Sequence, residues 1–177
     1  MLEYLIKIDI YLFYFIYETL SNPFFDWLMP LFHNPKNWIA PLLILWIYMI
    51  IKDKDKRWQL LVLIPLVIIL CDQTGRYIKH LELRDRPWAG LDIIALVKQS
   101  GMHFSFPSNH SANAVGLAMV ISAIYPKVKY YFWGLAFTIM FSRIYIGVHF
   151  PADVIIGAII GLSFGFLLIK YLRPKLN

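Results

Sequence analysis

The chain has 177 residues, enough for one domain, and 59% of them are hydrophobic and 17% aromatic against only 16% charged. That balance lies outside the habits of soluble proteins and points to an integral membrane protein. The net charge of +6 does not read as a nucleic-acid surface, because the Lys and Arg residues cap apolar runs instead of sharing one polar face; anionic lipid suits such flanks better.

From the N-terminus, Tyr4 to Leu20 is apolar and aromatic but carries Lys7, Asp9 and Glu18, and its charge-free run from Ile10 to Tyr17 is too short to cross a bilayer. A helix lying in the interface is the expectation, with a sixth span as the alternative. The charges also argue against a cleavable signal peptide. Pro23, Pro30 and Pro35 punctuate a second interfacial piece, so residues 1–36 form an interfacial N-terminal segment.

Five apolar segments follow, at 37–51, 58–79, 109–125, 130–148 and 152–172. Each is long enough, or nearly so, to span about 30 Å of hydrocarbon as a helix. The first is short and contains Pro41, and the last carries Gly157, Gly161 and Gly165 every four residues, a smooth ridge suited to packing inside the molecule. The expected fold is therefore all-α: a single membrane-embedded domain over residues 1–177, a polytopic bundle of five transmembrane helices, or six if residues 4–20 also cross. Lys52 to Arg57, Lys127 with Lys129, and Lys170, Arg173 and Lys175 fall on one side by alternation, which the positive-inside rule makes the cytoplasm. Residues 80–108 and 149–151 then share the opposite side.

Ionisable and hydrogen-bonding residues gather on that side. The second segment turns polar at Asp72, Arg76 and Lys79, which share a helical face, and Arg86-Pro87 follows. Charges at membrane depth are costly unless they face a wet cavity or a partner, although Lys79 alone could be a snorkelling helix end. Ser108, in Pro107-Ser108-Asn109-His110, is a natural N-cap, which leaves the free N–H groups of the next turn as an anion cradle. His110, in the first turn of a membrane helix, is expensive without a task. Ser142-Arg143 lies near the outer end of the fourth segment, and His149 stands at the mouth of the fifth, where Pro151 suits the first helical turn. Asp153, one turn inside, can accept the Nδ1 proton of His149 and leave Nε2 free as a nucleophile; the bland alternative is a His–Asp pair that only caps a helix. No histidine pair has the helical spacing of a zinc motif, and the neighbouring cations would repel a metal, so neither metal nor cofactor is expected.

Lys79-x6-Arg86-Pro87, Pro107-Ser108-x-His110 and Ser142-Arg143-x5-His149-x3-Asp153 together resemble the three signatures of the type 2 phosphatidic acid phosphatase superfamily, which also holds vanadium haloperoxidases. The resemblance covers about residues 70–165. It implies a metal-free two-step hydrolysis with His149 as nucleophile, Asp153 orienting it, and His110 protonating the leaving oxygen and then activating water. Lys79, Arg86, Ser108, Asn109 and Arg143 would bind the phosphate. Asn109 stands where the central signature commonly has glycine, so it either brings an amide to the phosphate or reshapes the pocket.

The expected activity is that of a lipid phosphatase in the cytoplasmic membrane of a bacterium, its site facing the periplasm or cell exterior. The bilayer and an anionic lipid would be its partners, with no obligate protein partner. Similar compact family members act on lipid A 1-phosphate, undecaprenyl diphosphate or phosphatidylglycerophosphate, and the resemblance leans toward the first. Arg76, Arg84 and Lys98 add cations that suit a strongly anionic headgroup, and residues 88–104, with Trp88, Ile93, Ile94, Leu96, Val97 and Phe104, form either an amphipathic lid or a plain interfacial loop. The alternatives are a lipid phosphotransferase, a vanadate-dependent haloperoxidase and a non-catalytic anion carrier.

Overall fold

A computed structural model describes residues 1–34, 36–97 and 103–176, with the side chain of Leu2 excepted. Every named element in them is helical, and strand pairing is limited among these residues to an isolated bridge between Asp85 and Phe104. In chain order the helices are α1 (Leu2–Tyr14), α2 (Pro23–Leu28), α3 (Lys36–Lys52), α4 (Arg57–Lys79), α5 (Pro87–Gly90), α6 (Asn109–Ile124), α7 (Lys129–Tyr145) and α8 (Pro151–Leu167). A π-helical turn, Phe15–Thr19, extends α1, and another, Leu168–Leu172, extends α8.

The five apolar segments become α3, α4, α6, α7 and α8. Two helices, Arg57–Lys79 and Pro151–Lys175 with its irregular last turns, are long and apolar enough to cross a membrane by length and composition. The other three have 16 or 17 residues, or about 25 Å at 1.5 Å per residue. The outer faces of the helices are apolar. Helix α3 has no buried residue and presents Ile39, Leu42, Ile44, Tyr48 and Ile51 outward. A helix that is hydrophobic all round and unburied by protein belongs in a nonaqueous medium.

Helix α6 forms the centre, packed against α4, α7 and α8. Its inward residues are small (Ser111, Ala112, Gly116, Ala118), which lets backbones approach closely. The glycine ridge of α8 faces α6, as the sequence suggests for packing inside the molecule. A Cβ at Gly161 would stand 2.3 Å from the Ala112 carbonyl oxygen, and one at Gly157 would stand 2.3 Å from that of Ser108. Gly161→Ala must push α6 and α8 apart, and we expect it to lower unfolding stability in detergent by about 1–3 kcal/mol. An unchanged thermal midpoint would contradict the close crossing.

The cationic loops collect at one end. Lys56 lies over the Tyr125 ring, 4.4 Å from its centroid; the Tyr125 hydroxyl donates to Asp53 Oδ2 at 2.9 Å; and Arg173 Nε donates to Gln59 Oε1 at 3.2 Å. At the other end of the bundle the N-terminal segment covers the connections after α4 and α7. Phe13 is fully buried, stacks on Tyr17 and meets Phe150, with ring centroids 5.4 and 5.3 Å apart. Tyr17 donates to the Ile94 carbonyl at 2.6 Å, and the Tyr145 hydroxyl bonds Asp26 Oδ1 at 2.5 Å. These partners all lie at one end of α7 and α8, the pattern of a helix laid across the bundle's end.

Candidate active site

Four chain segments converge at that end, and local backbone chemistry places each. Pro151 occupies the first turn of α8 as expected, and Asp153 Oδ2 accepts from the Phe150 N–H at 2.9 Å, so the carboxylate also caps the helix. Before it, Gly147 has φ +79, a left-handed conformation that favours glycine, and ends α7 at Tyr145, short of the expected residue 148. The turn folds the chain back, so that the Arg143 carbonyl accepts from both the Val148 and the His149 N–H at 3.2 Å. The nucleophile candidate is thereby fixed over Arg143.

His149 is 3% exposed, and its Nδ1 lies 3.6 Å from Asp153 Oδ2. That is just beyond hydrogen-bond reach, a looseness common in unliganded sites. Burial is the largest influence on the imidazole and lowers its pKa to about 4; Asp153 opposes this, while Arg86 and Lys79 add to it. The ring is therefore neutral at physiological pH, the state a nucleophile needs.

Ser108 caps α6 as its sequence position suggests: its Oγ accepts from the Ser111 N–H at 3.4 Å and the Ser111 hydroxyl at 3.1 Å. Its own N–H donates to the Asp153 carbonyl at 3.0 Å, tying the starts of α6 and α8 together. His110, one residue into α6, lies within electrostatic range of His149, Arg143, Arg86 and His33. Arg143 is 1% exposed; its Nε and Nη2 donate to Ser142 Oγ at 3.2 and 3.0 Å. Arg86 Nη1 donates to the Val148 carbonyl at 3.3 Å, and burial lowers its pKa.

Two of the expected phosphate ligands are placed differently. The Lys79 ammonium donates to the carbonyls of Ser105 and Pro107 and so holds the loop leading into Ser108; of its three donors one is left for an anion. Asn109 is the second. Its amide does not turn toward the cradle but donates to Asp72 Oδ1 at 3.2 Å, beside Asn113 Nδ2 at 2.9 Å. It fills the space over Gly75, where a Cβ would meet Asn109 Oδ1, so the departure from glycine reshapes the α4–α6 contact.

Three further residues reach the site unannounced by any motif. His33, from the turn after α2, places Nδ1 3.4 Å from Arg143 Nη1; its pKa is lowered by burial, then by Arg143 and Arg86. Arg84 and Asp9 pair beside Asp153. Arg76 is exposed, and Lys98 lies outside the described residues. Between α5 and that gap, residues 91–97 form an irregular strap and not an amphipathic helix, with the Leu96 N–H bonded to the Ile146 carbonyl at 3.1 Å. Among the described residues, no three of His, Cys, Asp and Glu group closely enough to hold a metal ion.

Residues 56–176 match the profile of the PAP2 superfamily. The chain belongs to the PAP2 superfamily. This PAP2 protein is 32% identical to a lipid A 4′-phosphatase of Bacteroides thetaiotaomicron, over 100% of this chain and 82% of the relative. Its fold is similar to the crystal structure of Aquifex aeolicus LpxE, with a TM-score of 0.77 and 31% identity over 93% of this chain and 96% of that one. It is also similar to a transmembrane PAP2 type phosphatidylglycerolphosphate phosphatase from Bacillus subtilis, with a TM-score of 0.65 and 28% identity over 90% and 81% of the two chains.

Proposed function

We propose that this PAP2 protein is a multi-pass membrane lipid phosphatase that works through a phosphohistidine at His149. The observation that carries the reading is the convergence of His149, Asp153, His110 and Arg143 at one end of a bundle whose sides are apolar. The His149 Nε2 lone pair attacks phosphorus, and the P–O bond to the lipid breaks as His110 delivers a proton to the leaving oxygen. Neutral His110 then removes a proton from water, the water oxygen attacks phosphorus, and the P–N bond breaks to restore His149 and release phosphate. Arg143 and Arg86, with the third donor of Lys79 and the N–H groups at the start of α6, offset the charge that builds on the equatorial oxygens.

The substrate is an amphipathic phosphomonoester or diphosphate. The apolar groove lined by Phe25, Leu28, Met29, Phe137 and Phe141 lies within two turns of Arg143 and suits an acyl or prenyl chain. A phosphorylated lipid A is the favoured class, supported by the name of the Bacteroides relative, which puts the 4′-phosphate beside the 1-phosphate as the bond cleaved. The membrane is the cytoplasmic membrane of a bacterium, with the site end facing outward, because the cationic loops lie at the opposite end.

Phosphate release from lipid A 1-phosphate, lipid A 4′-phosphate, undecaprenyl diphosphate and phosphatidylglycerophosphate tests this. We expect one of the lipid A esters to show the highest kcat/KM; release from none of the four would overturn the phosphatase reading. Vanadate should inhibit, since it adopts the five-coordinate geometry of the transition state in the same cradle. EDTA should not, since a pocket already lined by cations would repel a divalent ion. Activity lost in EDTA and restored by magnesium would contradict the metal-free route.

A further inference from the structure

The N-terminal helix enters the site end through one charged side chain. Asp9 is 9% exposed. Its Oδ2 accepts from Arg84 Nη1 at 2.6 Å, and its Oδ1 accepts from the Ala152 N–H, in the first turn of α8, at 2.8 Å. The same Arg84 Nη1 lies 3.6 Å from Asp153 Oδ1, an oxygen with no hydrogen-bond partner among the described residues. The guanidinium is held against the Phe150 ring, its carbon 3.6 Å from the centroid. Asp153 turns its other oxygen toward His149. Negative, positive and negative groups thus run in a line from α1 to the imidazole.

We propose that Arg84 and Asp9 are positioning residues for phosphoryl transfer. Arg84 keeps the Asp153 carboxylate ionised and aligned behind His149, and Asp9 sets how much of that cation Asp153 feels. The proposal rests on His149 as the nucleophile. A tether for α1 would need only the bond from Asp9 to the Ala152 N–H. Instead two buried carboxylates converge on one guanidinium nitrogen, an arrangement that keeps both ionised where either alone would be costly. The other charged or titratable groups around the pair are Lys79 from α4, Arg86 from the loop before α5, His110 from α6 and Arg143 from α7. Of these four and Arg84, Arg84 is the one within ion-pair distance of Asp153 Oδ1 among the described residues. Asp9 lies outside the matched span 56–176, so the N-terminal segment contributes to the site's chemistry from beyond it.

The signs of two substitutions separate this role from a structural one. Arg84→Gln removes a positive charge behind the His149–Asp153 pair, so the imidazolium forms more easily. Asp9→Asn keeps an acceptor for the Ala152 N–H but leaves Arg84 uncompensated, so the imidazolium forms less easily. NMR titration of ring-labelled histidine in the full chain in detergent reads this directly, with the His149 signal assigned by its loss in His149→Gln. We expect the His149 midpoint to rise by about one unit in Arg84→Gln, to stay at the wild-type position in Arg84→Lys, and to fall in Asp9→Asn. In turnover of a lipid phosphate, Arg84→Gln should lower kcat about tenfold, the equivalent of one pKa unit, with KM little changed, and Arg84→Lys should recover most of it.

Midpoints that move together, or stay put, overturn the proposal; if Arg84→Gln does not fold, the direction of Asp9→Asn decides. The titration needs no turnover, so the two readings fail separately. Opposite shifts in a protein that releases no lipid phosphate sink the phosphatase and keep the charge chain, whereas turnover without shifts does the reverse.

Discussion

His149→Gln is expected to lower kcat on a lipid phosphate by about 10⁴-fold or more, the scale seen when a covalent nucleophile is removed. The fold should survive, because the backbone N–H of His149, which bonds the Arg143 carbonyl, is retained and glutamine occupies a similar volume. Anion binding should survive too, since Arg143 and Arg86 hold their places through Ser142 Oγ and the Val148 carbonyl and not through the imidazole. Binding of inorganic phosphate by the variant, measured by calorimetry in detergent, should therefore stay within several-fold of wild type. Turnover within tenfold of wild type would remove His149 from the chemistry. Loss of turnover together with all phosphate binding would make it part of the cradle.

Asp153→Asn should be nearly as damaging, with kcat down by about 10³- to 10⁴-fold, by analogy with the orienting carboxylate of a serine triad. Asparagine can still accept the Phe150 N–H and preserve the helix cap. That oxygen is the one that also faces His149 Nδ1, so the amide NH2 takes the place beside Arg84, and the negative charge that orients His149 and stabilises its imidazolium is lost. The defect is one of charge, so it should appear in kcat, with KM and thermal stability close to wild type. A variant that lost stability but kept kcat would show Asp153 to be a helix cap only.

Much of the site was legible because its pieces are local. Ser108 before an apolar run, Pro151 two residues after His149 and a glycine every fourth residue each carry their meaning within one or two turns, and the helices fall close to the segments read from apolarity alone. Apolarity alone carries α7 on to residue 148, because Ile146 and Val148 continue the run, whereas the left-handed Gly147 ends the helix at Tyr145. The signature leaves Asn109 either turned toward phosphate or reshaping the pocket, because its side-chain direction depends on Asp72 and Gly75 of another helix. The pairings of Asp9 with Arg84 and of His33 with Arg143 join positions 75 and 110 residues apart. No periodicity encodes them, because they follow from how an aromatic N-terminal helix docks on the bundle's end. The polar residues within α1 were the available signal, since a charge such as Asp9 on an otherwise apolar helix needs a partner.

In the proposed mechanism phosphate passes through a covalent bond to His149. Rapid mixing of the purified protein with a turned-over lipid phosphate, an alkaline quench within the first turnover, and mass spectrometry of the peptides test it most directly. One added phosphoryl group is expected on His149, stable in base, lost in acid and absent from His149→Gln. Full turnover with no phosphorylated residue at any quench time, or with the group on another side chain, would contradict it.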